Sequence, residues 1–366
     1  MLLLHSEFEM MKKGEYVLVV KEWNFVRVIA CLSIVLLHSS TSVGRIFGYS
    51  ELFDLHFIRI LLCYATPTFI ILSEIILANK YSTSIPDGFF KKRIKWILGP
   101  FVAFALIDAL IVSYMRSNPD YIFDKLMNNL QGHFIGYFLL VIFQFYVLHF
   151  LVVRYQIKIE KLIFMGTVLM ISSLWLLNEE IYLFEGSSSI QMISFPTWLG
   201  YFVIAFLIGK HYEKLRPHLI VHRGLILVGL LFSIMLIYAS YQAGYTDVSS
   251  RRLDIMPFTL FVTLTLLSIG SSLPHMKLVD LISKYSFGIF LLHWQVQRII
   301  TPIIFERTSL SSLTFIAIVF LASIVISMAI VKIVSYVPGS SYVIGKIRNA
   351  PKSKKYESEA LSRKAS

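Results

Sequence analysis

The chain is punctuated by apolar stretches of roughly 20 residues, the length an α-helix needs to cross a bilayer core. They fall near Asn24–Gly44, Leu55–Ala78, Lys95–Met115, Phe134–Val153 and Ile159–Leu177. Five more follow near Ser194–Gly209, Gly224–Tyr241, Ile255–Ser272, Tyr285–Ile304 and Ser312–Val334. A soluble chain needs far more polar surface than a sequence that is 56% hydrophobic and only 15% charged can supply. In lipid the backbone must satisfy its own hydrogen bonds, which such stretches do as helices. The expectation is an all-α, polytopic transmembrane helix bundle with about ten spans.

Lys and Arg are distributed unevenly between alternate loops. With the N-terminus inside, 26 of the 34 lie on the cytoplasmic side and 6 on the other, with Arg59 and Arg298 inside spans. This positive-inside bias places both termini in the cytoplasm and the chain in the plasma membrane. It also accounts for the net charge of +12 without nucleic acid. Residues 1–22 read as a cytoplasmic arm, 23–336 as one membrane domain and 337–366 as a basic tail drawn to anionic lipid headgroups. Glu7, Glu9, Lys12, Lys13 and Glu15 interrupt any apolar core near the start, so no cleavable signal peptide is expected. Cys31 and Cys63 are too few for a disulfide framework and lack metal-site spacing, so no metal is expected.

Ionisable groups inside spans are costly and mark the places to look for function. Arg27 and His38 stand eleven residues apart on the first span. At 100° per residue they share one helix face, about 16 Å apart along the axis. That separation is about the reach of a phosphopantetheine arm, so Arg27 could hold phosphates while a thioester reached His38. A neutral imidazole at that depth can act as general base toward a hydroxyl. The same spacing is served by a snorkelling Arg27 and a His38 that bonds a neighbouring helix.

Asp108 falls at about the depth of His38 and could orient its ring, or hydrogen-bond inertly. Glu74 falls at the depth of Arg27, where an ion pair between the two would fit. His293 with Gln297 at i+4, Gln295 and Arg298 makes part of the ninth span too polar for lipid; with Gln144 these residues point to an internal cavity. Trp23, Trp96, Trp198 and Tyr201 lie near span ends, where an interfacial aromatic belt is the simplest reading.

Four ordered segments resemble the acyltransferase-3 family of membrane proteins. They are Arg27…Ala30…His38, Pro67-Thr-Phe69-Ile-Ile-Leu-Ser73, Phe90-Lys-Lys-Arg93-Ile-Lys-Trp-Ile-Leu-Gly-Pro100, and Ser286-Phe-Gly288-Ile-Phe-Leu-Leu-His293. Gly136 to Tyr146 and Thr66 to Ser73 are further similar to the branch that includes the staphylococcal intercellular-adhesin polysaccharide membrane component. The family's usual Gly after Ser73 is Glu74 here, and Trp96 stands where its basic motif has a second Arg.

The resemblance implies an acyltransferase moving groups other than aminoacyl groups. The donor would be cytoplasmic acyl-CoA, acetyl-CoA first and succinyl-CoA next, and the acceptor a hydroxyl of an envelope carbohydrate. On that reading His38 is the catalytic base or acyl relay, Arg27 positions the donor or polarises the site, and Arg93, Lys92 and Lys95 are candidates to meet the CoA phosphates. Ser73, Glu74, Gln144, Ser286, His293, Gln297 and Arg298 would line the substrate cavity. The competing expectation is a polysaccharide exporter or flippase, although no broken-helix pair or inverted repeat is visible.

Overall fold

The computed structural model describes residues 20–49, 55–181, 188–307 and 310–345. Most of the expected N-terminal arm and most of the basic tail lie outside the described residues. Nine helices are long and apolar enough to span a membrane, among the described residues. We number all helices in chain order. The spanning ones are α1 (Lys21–Phe47), α2 (His56–Tyr81), α3 (Phe89–Met115), α5 (Tyr137–Arg154), α6 (Ile159–Asn178), α10 (Arg223–Gln242), α11 (Ile255–Ser272), α12 (Lys277–Arg307) and α13 (Ser312–Val334). The expected sixth span is a shorter apolar helix, α8 (Phe195–Lys210). Each of the ten hydropathy segments therefore becomes a helix, and the described residues contain no strand.

Three helices go unmarked by hydropathy: α4 (Tyr121–Leu130), the short α7 (Ser188–Ile193) and α9 (Tyr212–Val221). Helix α4 is amphipathic and packs along α3.

Prolines shape two of the spans. Helix α2 breaks into a turn at Cys63–Tyr64, because Pro67 has no N–H to offer the carbonyl four residues earlier. In α3, Ile94–Leu98 are wound as a π-helix just before Pro100, which likewise cannot serve the carbonyl of Trp96.

Burial orders the bundle. The most apolar window of α2 is 72% buried and that of α10 only 17%, so α2 is central and α10 peripheral. Leu225, Val228, Leu231, Phe232 and Met235 of α10 are exposed, the apolar face a lipid-contacting helix presents. Helix α1 packs against α2, α11, α12 and α13 at the centre. Helices α2 and α8 approach backbone to backbone, where a Cβ on Gly209 would stand 2.3 Å from the carbonyl oxygen of Ile75. Only glycine permits it.

The aromatic-belt expectation is corrected for three residues. Trp23, Trp198 and Tyr201 are buried, and Trp198 Nε1 donates to the carbonyl of Met192. Their apolar bodies fill the core between helices rather than the bilayer interface.

Candidate functional site

Two polar centres flank the middle of the bundle, with an apolar cleft leading from one toward the other. The first is built on Arg27 of α1. Its guanidinium donates to Asn24 Oδ1 at 2.9 Å and to Ser283 Oγ at 3.0 Å. Asn24 is held in turn by Asp280 Oδ1 at 2.9 Å, so the start of α12 fixes the arginine.

Arg27 lines a partly open cleft of about 150 Å³ between α1, α2, α3, α5 and α12. Its walls are mostly apolar, including Phe69, Ile142 and Phe290, with hydroxyls from Ser73, Tyr146 and Ser286. Ser73 and Ser286 spend their protons on the carbonyls of Ile70 and Ser283, so each presents only oxygen lone pairs.

Phe290 closes the inner end of the cleft. Its ring centroid lies 4.1 Å from that of Phe138 and 5.2 Å from that of Phe69. Behind it stands His293, with ring centroids 5.8 Å apart. The cleft therefore ends one aromatic ring from the second centre.

That second centre pairs His38 of α1 with His293 of α12, ring centroids 5.3 Å apart. His293 Nδ1 lies 3.0 Å from the carbonyl of Ile289 and so must carry its proton there. Its Nε2 is then a bare acceptor, and it is buried without a partner among the described residues. His38 Nδ1 is equally buried and unpartnered, so no neighbour fixes its tautomer. Gln297, one turn beyond His293, donates to Ser39 Oγ at 2.9 Å and to the carbonyl of Val35 at 3.2 Å. The edge of Trp294 packs on His38 at 4.9 Å. Arg45 and Arg298 stack on that indole at 4.9 and 5.5 Å.

Asp108 is near this centre without joining it. Its Oδ1 accepts from Arg298 at 2.7 Å and Gln295 at 3.1 Å, and Oδ2 from Asn129 of α4 at 2.9 Å. Lys125 adds an ion pair at 3.5 Å. The expected orienting bond to His38 Nδ1 is not made, because two basic residues and two amides already claim both oxygens.

Glu74 also departs from expectation. It pairs with His149 of α5 at 2.7 Å rather than with Arg27, and both side chains are fully buried. His149 Nε2 lies 3.1 Å from the carbonyl of Tyr81, so both ring nitrogens are engaged. Gln144 donates to the carbonyls of Ile193 and Leu140 and does not line the cleft.

The three basic residues entering α3 divide. Arg93 is caged by the rings of Phe89, Tyr146 and Tyr81 at 4.1, 5.4 and 5.8 Å, and Tyr146 borders the cleft. Lys95 sits over Tyr342 at 4.2 Å, and Lys92 is exposed.

Sequence reasoning missed Trp294, Phe290 and Arg45 as neighbours of the histidines. Phe290 stood inside a quoted motif, and Trp294 directly follows His293, so adjacency was the available signal. Among the described residues no three His, Cys, Asp or Glu side chains gather as a metal ion would need.

Residues 20–332 match the acyltransferase-domain family model of the acyltransferase-3 type. The "Putative membrane-bound acyltransferase YfiQ" of Bacillus subtilis (strain 168) is 33% identical over 293 residues, covering 75% of this chain and 80% of that protein. The "Probable poly-beta-1,6-N-acetyl-D-glucosamine export protein" of Staphylococcus aureus (strain MSSA476) is 25% identical, covering 74% and 80%. The protein of that name in Staphylococcus epidermidis is 24% identical, covering 77% and 81%. No solved structure matches. With the family match spanning most of the chain and nine membrane-spanning helices among the described residues, the chain belongs to the acyltransferase-3 family and is a multi-pass membrane protein.

Proposed function

We propose that this chain transfers an acyl group from cytoplasmic acyl-CoA to a hydroxyl of an envelope carbohydrate. The observation that carries this reading is the apolar cleft, which holds Arg27 and ends on Phe290, beside His293 and the unpartnered His38. Arg27 and the cations entering α3 (Arg93, Lys92 and Lys95) meet the anionic donor, and the cleft takes its pantetheine arm. The Lys and Arg bias between loops supports a cytoplasmic mouth for the cleft. His38 removes the proton from the acceptor hydroxyl as its oxygen attacks the thioester carbonyl. The tetrahedral intermediate collapses with cleavage of the C–S bond. The CoA thiolate leaves and recovers the proton from the His38 imidazolium, giving an ester and free CoA.

Acetyl-CoA is the first donor to try and succinyl-CoA the second. Membranes containing the chain should transfer labelled acyl groups to β-1,6-linked N-acetylglucosamine oligomers. His38→Ala should lower the rate at least 100-fold, the lower bound for losing a general base, at unchanged protein level. Retained transfer would remove His38 from the chemistry.

The second reading is carbohydrate export, favoured by the names of the staphylococcal relatives and by Trp294 held between two arginines. An exporter would leave polysaccharide inside cells when deleted and would tolerate His38→Ala.

A further inference from the structure

The unpartnered atoms around His38 have one chemical character. Gln297 Nε2 faces the carbonyl of Val35, which only accepts, so the amide orientation is fixed and Oε1 is the bare atom. The contact of His293 Nδ1 with the carbonyl of Ile289 fixes that ring too, leaving Nε2 as a lone pair. Both side chains are 0% exposed, and native proteins rarely bury polar atoms without partners. His293 and Gln297 are one helical turn apart on one face of α12. That face meets Val35, His38 and Ser39 of α1. The seam between the two helices thus offers two fixed acceptors, and a third atom at His38 Nδ1 whose tautomer is free.

We infer that this seam seats the acceptor through its hydrogen-bond donors: a neutral sugar unit presenting three neighbouring O–H or N–H groups. One hydroxyl gives its proton to His38, and the adjacent donors bond His293 Nε2 and Gln297 Oε1. A carboxylate or phosphate offers no donor to these atoms, so the seam selects for O–H and N–H groups, with the cations Arg45 and Arg298 beyond it on Trp294. His293 and Gln297 are specificity residues for the acceptor. The assignment rests on the transferase reading for the role of His38, while the seat itself can be tested without any transfer.

The probe is a tritiated β-1,6-linked N-acetylglucosamine pentamer, bound by equilibrium dialysis to the full chain in detergent with no acyl-CoA present. His293→Asn keeps a donor near the Nδ1 position and removes the Nε2 acceptor. It should weaken pentamer binding about tenfold, the worth of one buried hydrogen bond. Acetyl-CoA binding should stay unchanged. His293→Gln returns an acceptor near the Nε2 position and should recover most of the loss, which a merely structural histidine would not show. Gln297→Met carries the same test should His293→Asn fail to fold. Equal pentamer binding by wild type and His293→Asn would overturn the seat. So would a parallel loss of acetyl-CoA binding, or a wild-type chain that does not retain the pentamer. A His38→Ala chain that still transfers acyl groups would sink the transferase reading while leaving the dialysis result to stand.

Discussion

His149 and His293 are both fully buried in one bundle, yet they are completed differently. Each nitrogen of His149 meets an oxygen, Glu74 Oε1 on one side and the carbonyl of Tyr81 on the other. His293 engages one nitrogen and leaves the other bare, facing a His38 that is bare as well. Both sites are costly places for polar groups. The first is explained by packing alone, since it ties α2 to α5. The second lacks, among the described residues, the second partner that a buried imidazole normally has, which is the place the inferred acceptor would fill. Ionisable character inside a span does not by itself separate structure from function. A bare atom alone does not either, since Glu74 Oε2 is also unpartnered among the described residues. What sets His293 apart is that its bare nitrogen shares one seam with the bare atoms of His38 and Gln297.

The comparison breaks most readily at Glu74. Glu74→Ala leaves the buried His149 Nδ1 without its partner and should cost about 3–5 kcal/mol, read as a lower melting temperature in detergent. His38→Ala, which removes a ring that bonds no neighbour through Nδ1, should melt close to wild type. The double variant Glu74→Ala/His149→Phe should regain most of the loss, because the orphaned partner is gone. An unperturbed Glu74→Ala chain would show that this pair is not structural.

Arg27 tests the functional side. Arg27→Gln keeps donors for Asn24 and Ser283 but loses the charge, and should raise the KM for acyl-CoA about tenfold while leaving the acceptor KM alone. Equal shifts in both constants would make Arg27 a helix clamp instead.

The smallest effect belongs to Lys125. It is 15% exposed and stands 3.5 Å from an Asp108 that keeps Arg298, so Lys125→Met should cost under about 1 kcal/mol. A melting loss as large as that of Glu74→Ala would put α4 among the elements that hold the bundle together.

Much of this architecture could be read in advance. Hydropathy located every long helix, because a bilayer imposes one length and one composition on each. The facing of Arg27 and His38 followed from helical periodicity, which is local. Partners across helices were not legible. Glu74 and His149 are 75 residues apart, and nothing in either segment says that α2 and α5 adjoin there. Asp108 and His38 share a depth, but depth leaves the azimuth open, and the carboxylate turned to Arg298 instead. Helix α4 escaped notice because an amphipathic ten-residue segment resembles a loop when only mean hydropathy is weighed.

The wide winding at Ile94–Leu98 has a consequence at the level of the gene. A π-turn holds one residue more than the α-turn it replaces, so everything after it is rotated by roughly 100° relative to an unbroken helix. The extra residue corresponds to one codon, which the π-turn absorbs so that the residues downstream keep their facing. Losing that codon would leave the composition and hydropathy of the span nearly untouched. It would also let the turn close as an α-turn with Asp108 still facing Arg298 and Asn129, whereas rewinding with no residue lost would swing the carboxylate away by roughly 100°.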